Sequence, residues 1–288
     1  MTQYDPAWLE KMYNNRARVP EHGDYFRRWD GTSAVARAAG GPELDVAYGD
    51  GPKETLDIFV PDGQSRALAG KAPVLVFIHG GWWRSLDKSD HSFVAPAYTG
   101  AGACVVIPNY ELCPAITIPG IALQMVKALA WVYRNIGQYG GDPTRITVAG
   151  HSAGGHLAAM MLACQWKSWA RELPADLVKN AMSISGLYDL EPIMHTAFLQ
   201  ESLRLTPQDA RKASPALMPR PRHGKFYSVA GADESEEFLR QNVLIRKAWG
   251  ERTVPVCEAM LGLNHFSIVD AFAQPGHRLN GFALQLLA

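Results

Sequence analysis

The sequence predicts an α/β protein, a doubly wound, mostly parallel sheet flanked by helices and entered through an N-terminal helical arm. Three observations carry that expectation. Short apolar runs of strand length recur along the chain, stretches with helical spacing separate them, and a serine between two glycines marks one strand-to-helix turn. At 288 residues the chain suits a single domain over 1–288, with residues 1–45 as an arm contributing to a cap. A domain of that size buries roughly three quarters of its unfolded surface.

The elements follow in order. Residues 1–45 carry Trp8, Met12, Tyr13, Tyr25, Phe26 and Trp29 at uneven spacing, which reads as short helices and loops draped over the domain. Residues 55–60 form a first strand, ended by a turn at 61–63. Residues 73–78 are a continuous apolar run bounded by Gly80-Gly81, as a central parallel strand requires, and 103–107 are another. Ile121, Met125, Leu129, Val132 and Ile136 share one helical face, with Pro119 near the start and Gly140-Gly141 past the end. Strand 145–149 leads into helix 153–165, where Leu157, Met161 and Cys164 align. Strands at 181–185, 226–230 and 254–259 complete the alternation, with a clear helix over 236–249. The chain shows no internal repeat and no low-complexity tract.

Composition narrows the function. Hydrophobic content of 47% and charged content of 19% describe an ordinary globular core. Lys+Arg 28 balance Asp+Glu 28, so nothing points to nucleic acid or an anionic membrane as partner. Zero net charge also permits self-association, for example as a homodimer. Cys104, Cys113, Cys164 and Cys257 show no metal-ligand spacing and read as reduced thiols. His151 and His156 lack the i, i+4 spacing that puts two metal ligands on one helical face, so neither metal nor cofactor is expected. The first residues carry no basic segment followed by an apolar run, and no stretch reaches membrane-span length. A cytoplasmic location is the expectation.

The chemistry centres on Gly150-His151-Ser152-Ala153-Gly154. So tight a turn tolerates little side chain beside the serine and pushes its hydroxyl clear of the sheet. The helix beginning at Ala153 aims free N–H groups and its positive dipole end at the place where an oxyanion would form. A serine hydroxyl needs a base, and the base needs a partner that fixes its tautomer. The base candidate is His265, the only one of nine histidines that follows a C-terminal sheet strand. The loop after 226–230 offers Asp233 and Glu234 side by side. Successive side chains diverge, so one can aim at the histidine while the other sits in solvent or caps the next helix. Asp189 is a third candidate, better suited to a turn or N-cap. His79-Gly80-Gly81-Trp82-Trp83 follows strand 73–78, and its glycines let the backbone approach the serine with N–H groups exposed. The expected oxyanion donors are the amides of Gly81, Trp82 and Ala153. His79 reads as a residue that orients this loop, and at least one of Trp82 and Trp83 as a substrate-pocket wall.

Together these segments resemble the esterase/lipase branch of α/β-hydrolases, most closely the serine-type arylformamidases (kynurenine formamidases). The resemblance rests on His79-Gly80-Gly81-Trp82-Trp83, on the nucleophile-elbow pentapeptide 150–154, on Tyr110-Glu-Leu-Cys-Pro114 and on Asn264-His-Phe266. The lead-in Gly140-Gly-Asp-Pro-Thr-Arg-Ile146 and the segment Tyr13-Asn-Asn-Arg-Ala-Arg-Val-Pro20 are also similar. Glu111 stands where relatives commonly have arginine. The register of Ser235-Glu-Glu-Phe-Leu-Arg-Gln241, with Glu236 where relatives have proline, implies Glu234 rather than Asp233 as the acid. The resemblance implies a cofactor-independent hydrolase acting through an acyl-enzyme. Its substrates would be aryl formamides such as N-formylkynurenine, or short-chain esters. A formyl group needs almost no acyl pocket, and Trp82, Trp83, Tyr13 and Tyr110 could hold an aryl leaving group. A non-catalytic binding protein on the same fold is the rival, and a complete set of nucleophile, base, acid and oxyanion donors argues against it.

Overall fold

The computed structural model describes residues 4–39, 41–61 and 71–288. Residues 1–3, and all of the turn expected at 61–63 except Pro61, lie outside them. Among the described residues eight strands form one sheet: β1 (Glu43–Ala47), β2 (Thr55–Phe59), β3 (Ala72–Ile78), β4 (Cys104–Pro108), β5 (Gly141–His151), β6 (Val178–Ile184), β7 (Phe226–Gly231) and β8 (Val256–Met260). Their order is β1-β2-β4-β3-β5-β6-β7-β8. The β1–β2 and β2–β4 pairs are antiparallel, and every pair from β4 to β8 is parallel. The sheet is therefore mostly parallel, as the alternation predicts.

Alternation along β3 explains the two-sided burial. Val74, Val76 and Ile78 pack into one core while Leu75 and Phe77 enter the other. Helices Ile118–Asn135, Ala153–Ala163 and Glu236–Trp249 supply the first core through residues such as Met125, Leu157 and Phe238. Helices Ser267–Ala273 and Arg278–Leu287 supply the second through Phe272 and Leu279. With helices on both faces, the central strands can be apolar throughout.

Three differences from the sequence expectation have local causes. The strand expected at 145–149 begins earlier, at Gly141, because an irregular register pairs Gly141 with Ala72. The strand expected from 254 begins at Val256, because Val254 N–H bonds Gly250 O in the turn ahead of it. The edge strand β1 was not expected at all. Its residues are at least partly exposed and mix charged with apolar side chains, so no run betrays it.

The arm is three helices, Pro6–Tyr13, Asn15–Arg18 and His22–Ala38. The last has 17 residues and is longer than the expected short pieces. Trp29 Nε1 donates to Asp270 Oδ1 at 2.6 Å, and Arg37 bonds the Ser89 carbonyl. Ser235 Oγ donates to Met12 O at 2.7 Å. Among the described residues no helix is long and apolar enough to cross a membrane. All four cysteines are free thiols.

Candidate active site

β5 ends at His151, and helix Ala153–Ala163 starts one residue after Ser152. Ser152 alone makes the turn, with φ 56° and ψ −117°. That conformation costs a non-glycine residue on the order of 1–3 kcal/mol and persists only where surrounding structure enforces it. The glycines enforce it. A Cβ on Gly150 would sit 2.2 Å from Gly154 O, and one on Gly154 would sit 1.9 Å from Ile78 O. Ser152 N–H is held by Ile184 O at 2.8 Å, which ties the turn to β6.

The loops after β7 and β8 meet backbone to backbone. A Cβ on Gly231 would lie 2.2 Å from Leu263 O, and Asp233 N–H bonds that same carbonyl at 3.1 Å. This packing brings Glu234 Oε2 to 2.6 Å from His265 Nδ1. A carboxylate can only accept, so Nδ1 carries the proton and Nε2 is left as the basic nitrogen. Glu234 Oε1 accepts from Gly231 N at 2.7 Å and from Ser185 Oγ, so both oxygens of this buried carboxylate are occupied. Asp233 is exposed, and Ser235 rather than Asp233 caps the following helix. Asp189 takes the turn role, accepting from Glu191 N at 3.2 Å.

His151, expected from sequence to belong to the elbow and not to bind a metal, has a second task. Its Nε2 donates to the carbonyl of His265 at 2.8 Å. Burial, followed by the charges of His265 and His91, holds its pKa well below the usual histidine range. The ring is therefore neutral, and it clasps the base loop rather than competing with it.

The loop after β3 turns back through three successive left-handed residues, Gly81 (φ 106°), Trp82 (φ 54°) and Trp83 (φ 54°). Gly81 O accepts from Arg84 N and Ser85 N. A Cβ on Gly80 would come within 3.1 Å of Ser152 Cβ, so only glycine lets the backbone run this close. His79 is fully buried, with ring nitrogens 2.8 Å from Gly80 O and 3.2 Å from Asn109 Oδ1. Burial lowers its pKa to about 4, so it is a neutral brace for the loop.

Ser152 and His265 line one cavity together with Gly81, Trp82 and His151. Its free volume is about 40 Å³. Trp82 is thus a wall, but Trp83 is not. Trp83 is fully buried in the core, edge-on to His156 at 5.0 Å. Neighbouring side chains leave a tight turn in different directions, and only one of the two can face the cavity. Tyr13 and Tyr110, expected to hold an aryl group, are also elsewhere. Tyr13 OH bonds Glu237 Oε1 at 2.5 Å, and Tyr110 stacks on His79 at 4.3 Å. The arm supplies what sequence reasoning missed: Asn15, Arg16, Phe26 and Trp29 all line the cavity. The resemblance of segment 13–20 to the family is the one sequence signal for the first two. Among the described residues no group of three or more His, Cys, Asp or Glu side chains could hold a metal ion.

Sheet order, elbow and converging loops define an α/β-hydrolase of the esterase/lipase branch. The BD-FAE family model matches residues 56–215, more than half of the chain, and the chain belongs to that family. It is 28% identical over 251 residues to the kynurenine formamidase of Salmo salar, covering 85% of this chain and 81% of that one. A solved candidate thioesterase of Silicibacter sp. tm1040 superposes with a TM-score of 0.82 at 29% identity, covering 95% of this chain and 97% of that one. The Pyrobaculum calidifontis esterase shares the fold, with a TM-score of 0.66 at 19% identity over 99% of this chain and 98% of that one. The protein is a hydrolase of the esterase/formamidase type, close to the arylformamidases.

Proposed function

We propose that this protein is a serine hydrolase that cleaves small acyl groups from aryl formamides of the N-formylkynurenine type through an acyl-enzyme. Ser152 Oγ attacks the carbonyl, and its proton passes to His265 Nε2. Glu234 holds the imidazole and stabilises the imidazolium. The tetrahedral oxyanion is received by the amides of Gly81, Trp82 and Ala153. His265 then protonates the leaving amine, and water, deprotonated by the same imidazole, releases formate. The observation that carries the reading is the 2.6 Å contact between Glu234 and His265, the histidine lining one cavity with a strained, glycine-enforced serine.

The close approach of the Gly80 backbone to Ser152, where a Cβ on Gly80 would come within 3.1 Å of Ser152 Cβ, supports a small acyl group. It serves an acetyl ester as well as a formamide, so short-chain carboxylesterase activity is the second reading. Side-by-side kinetics on N-formylkynurenine and on p-nitrophenyl esters of graded chain length test the choice. The formamidase reading expects at least a hundredfold higher kcat/KM for the formamide, with ester rates falling steeply beyond two or three acyl carbons. A hundredfold preference for esters would overturn it in favour of the carboxylesterase.

A further inference from the structure

Two residues from the arm stand at the cavity with their polar groups unused. Asn15 is 4% exposed and lines the cavity, yet its Nδ2 has no hydrogen-bond partner. A buried donor left unpaired is costly and normally marks a missing partner. The chain gives Asn15 little freedom to find another, because Asn14 caps the short helix Asn15–Arg18 and Val19 N bonds Asn15 O.

Arg16, the next residue, is the only permanently charged side chain among the described residues that line the cavity. Among the described residues it makes no ion pair with a carboxylate, and its guanidinium rests over the Phe26 ring at 5.3 Å. Arg84, two residues beyond Trp82, bonds Phe198 O and Ser202 Oγ. Other polar groups of the wall already have partners: Ser85 Oγ donates to Gly81 O at 2.9 Å, Trp29 Nε1 to Asp270 Oδ1, and His151 to His265 O. The mouth of the cavity therefore presents a cation and an unpaired N–H donor, and among the described residues no carboxylate lines it. Such a pair matches a planar anion that accepts several hydrogen bonds.

Resting on the serine-hydrolase reading, we propose that Asn15 and Arg16 form a subsite for a carboxylate carried by the substrate away from its scissile carbonyl, so that the enzyme selects anionic acyl substrates over neutral ones. Asn15 Nδ2 and the Arg16 guanidinium donate to the two carboxylate oxygens. Phe26 and Trp82 flank the connecting portion of the ligand.

Two measurements on the full chain test this. In the first, calorimetry compares benzoate with benzamide, which needs no turnover. Benzoate is expected to bind at least tenfold more tightly, Arg16→Gln and Asn15→Asp are each expected to remove that advantage, and added KCl is expected to weaken benzoate alone. In the second, kcat/KM is compared for 4-acetoxybenzoate and its methyl ester. The anionic-to-neutral ratio is expected to exceed ten and to fall at least tenfold in Arg16→Gln, with Arg16→Lys recovering part of it. A purely structural role for Arg16 would move both rates and leave the ratio alone. Equal binding of benzoate and benzamide, or a ratio unchanged by Arg16→Gln, would overturn the subsite while leaving ester turnover through Ser152 intact. Loss of turnover on both esters with the benzoate preference retained would instead count against the hydrolase reading and keep the subsite.

Discussion

The sheet-borne half of the cavity and the arm-borne half are built on opposite principles. On the sheet, His151 ends a strand and Ser152, Glu234 and His265 follow strand ends, in turns packed by glycines that admit no Cβ. Both carboxylate oxygens of Glu234 are bonded, and His151 grips the next loop. On the arm, Asn15 has an idle donor and Arg16 is exposed and unpaired. On the sheet side the acid that holds the base has both oxygens committed, whereas the arm side keeps an uncommitted donor and cation. Reactivity needs groups held immobile, whereas selection needs groups with something left to offer a ligand.

The sharpest way to break this contrast is on the sheet side. Ser152→Ala and His265→Ala are each expected to lower kcat by about 10⁴-fold or more, read with a p-nitrophenyl ester. Turnover within tenfold of the parent in either variant would remove the proposed chemistry. Next comes the acid. Glu234→Gln is expected to lower kcat by about 10³-fold and Asp233→Asn by less than about threefold, because Asp233 points to solvent. Greater damage from the Asp233 change would reverse the assignment.

A smaller effect concerns acid stability. His79, His91 and His156 are fully buried, and burial lowers each pKa to about 4. In the unfolded chain they take up protons near an ordinary histidine pKa of about 6.5. Between those values the unfolded state binds more protons, so the stability these residues contribute above pH 6.5 is lost as pH falls towards 4. Each loss amounts to about 2 kcal/mol at pH 5. Urea midpoints should therefore drop between pH 7.5 and 5, and His91→Phe should flatten the slope. PH-independent midpoints would count against the buried neutral rings. The smallest expected effect lies where the two halves join. Tyr13→Phe removes the bond to Glu237 and should cost about 1 kcal/mol in urea unfolding, with kcat changed by less than about twofold. A hundredfold loss of kcat there would mean that the arm shapes the reactive groups after all.

Much of this was legible because the relevant signals are local. A glycine-serine-glycine turn between a strand and a helix announces itself within five residues, and continuous apolar runs such as 73–78 leave little choice of element. Glu234 could be separated from Asp233 only by register within a resemblance, because adjacent carboxylates look alike until a backbone turn aims one of them. Trp83 went to the core because three left-handed residues in a row reverse the chain, and no composition rule predicts that. The arm's role was hidden for another reason. Asn15 and Arg16 lie more than a hundred residues from Ser152, so their meeting depends on how the helices dock, through Tyr13, Met12 and Trp29. β1 escaped notice because a half-exposed edge strand needs no apolar pattern.

The clasp between His151 and the His265 carbonyl has a mechanical consequence. Residues 151 and 152 are consecutive, so the link that anchors the imidazole's loop is attached one peptide away from the alcohol. If the far edge of the sheet breathes and the final loop drifts, the elbow is dragged along with it. The gap between the two groups is then governed by a handful of stiff bonds, not by the compliance of a whole domain.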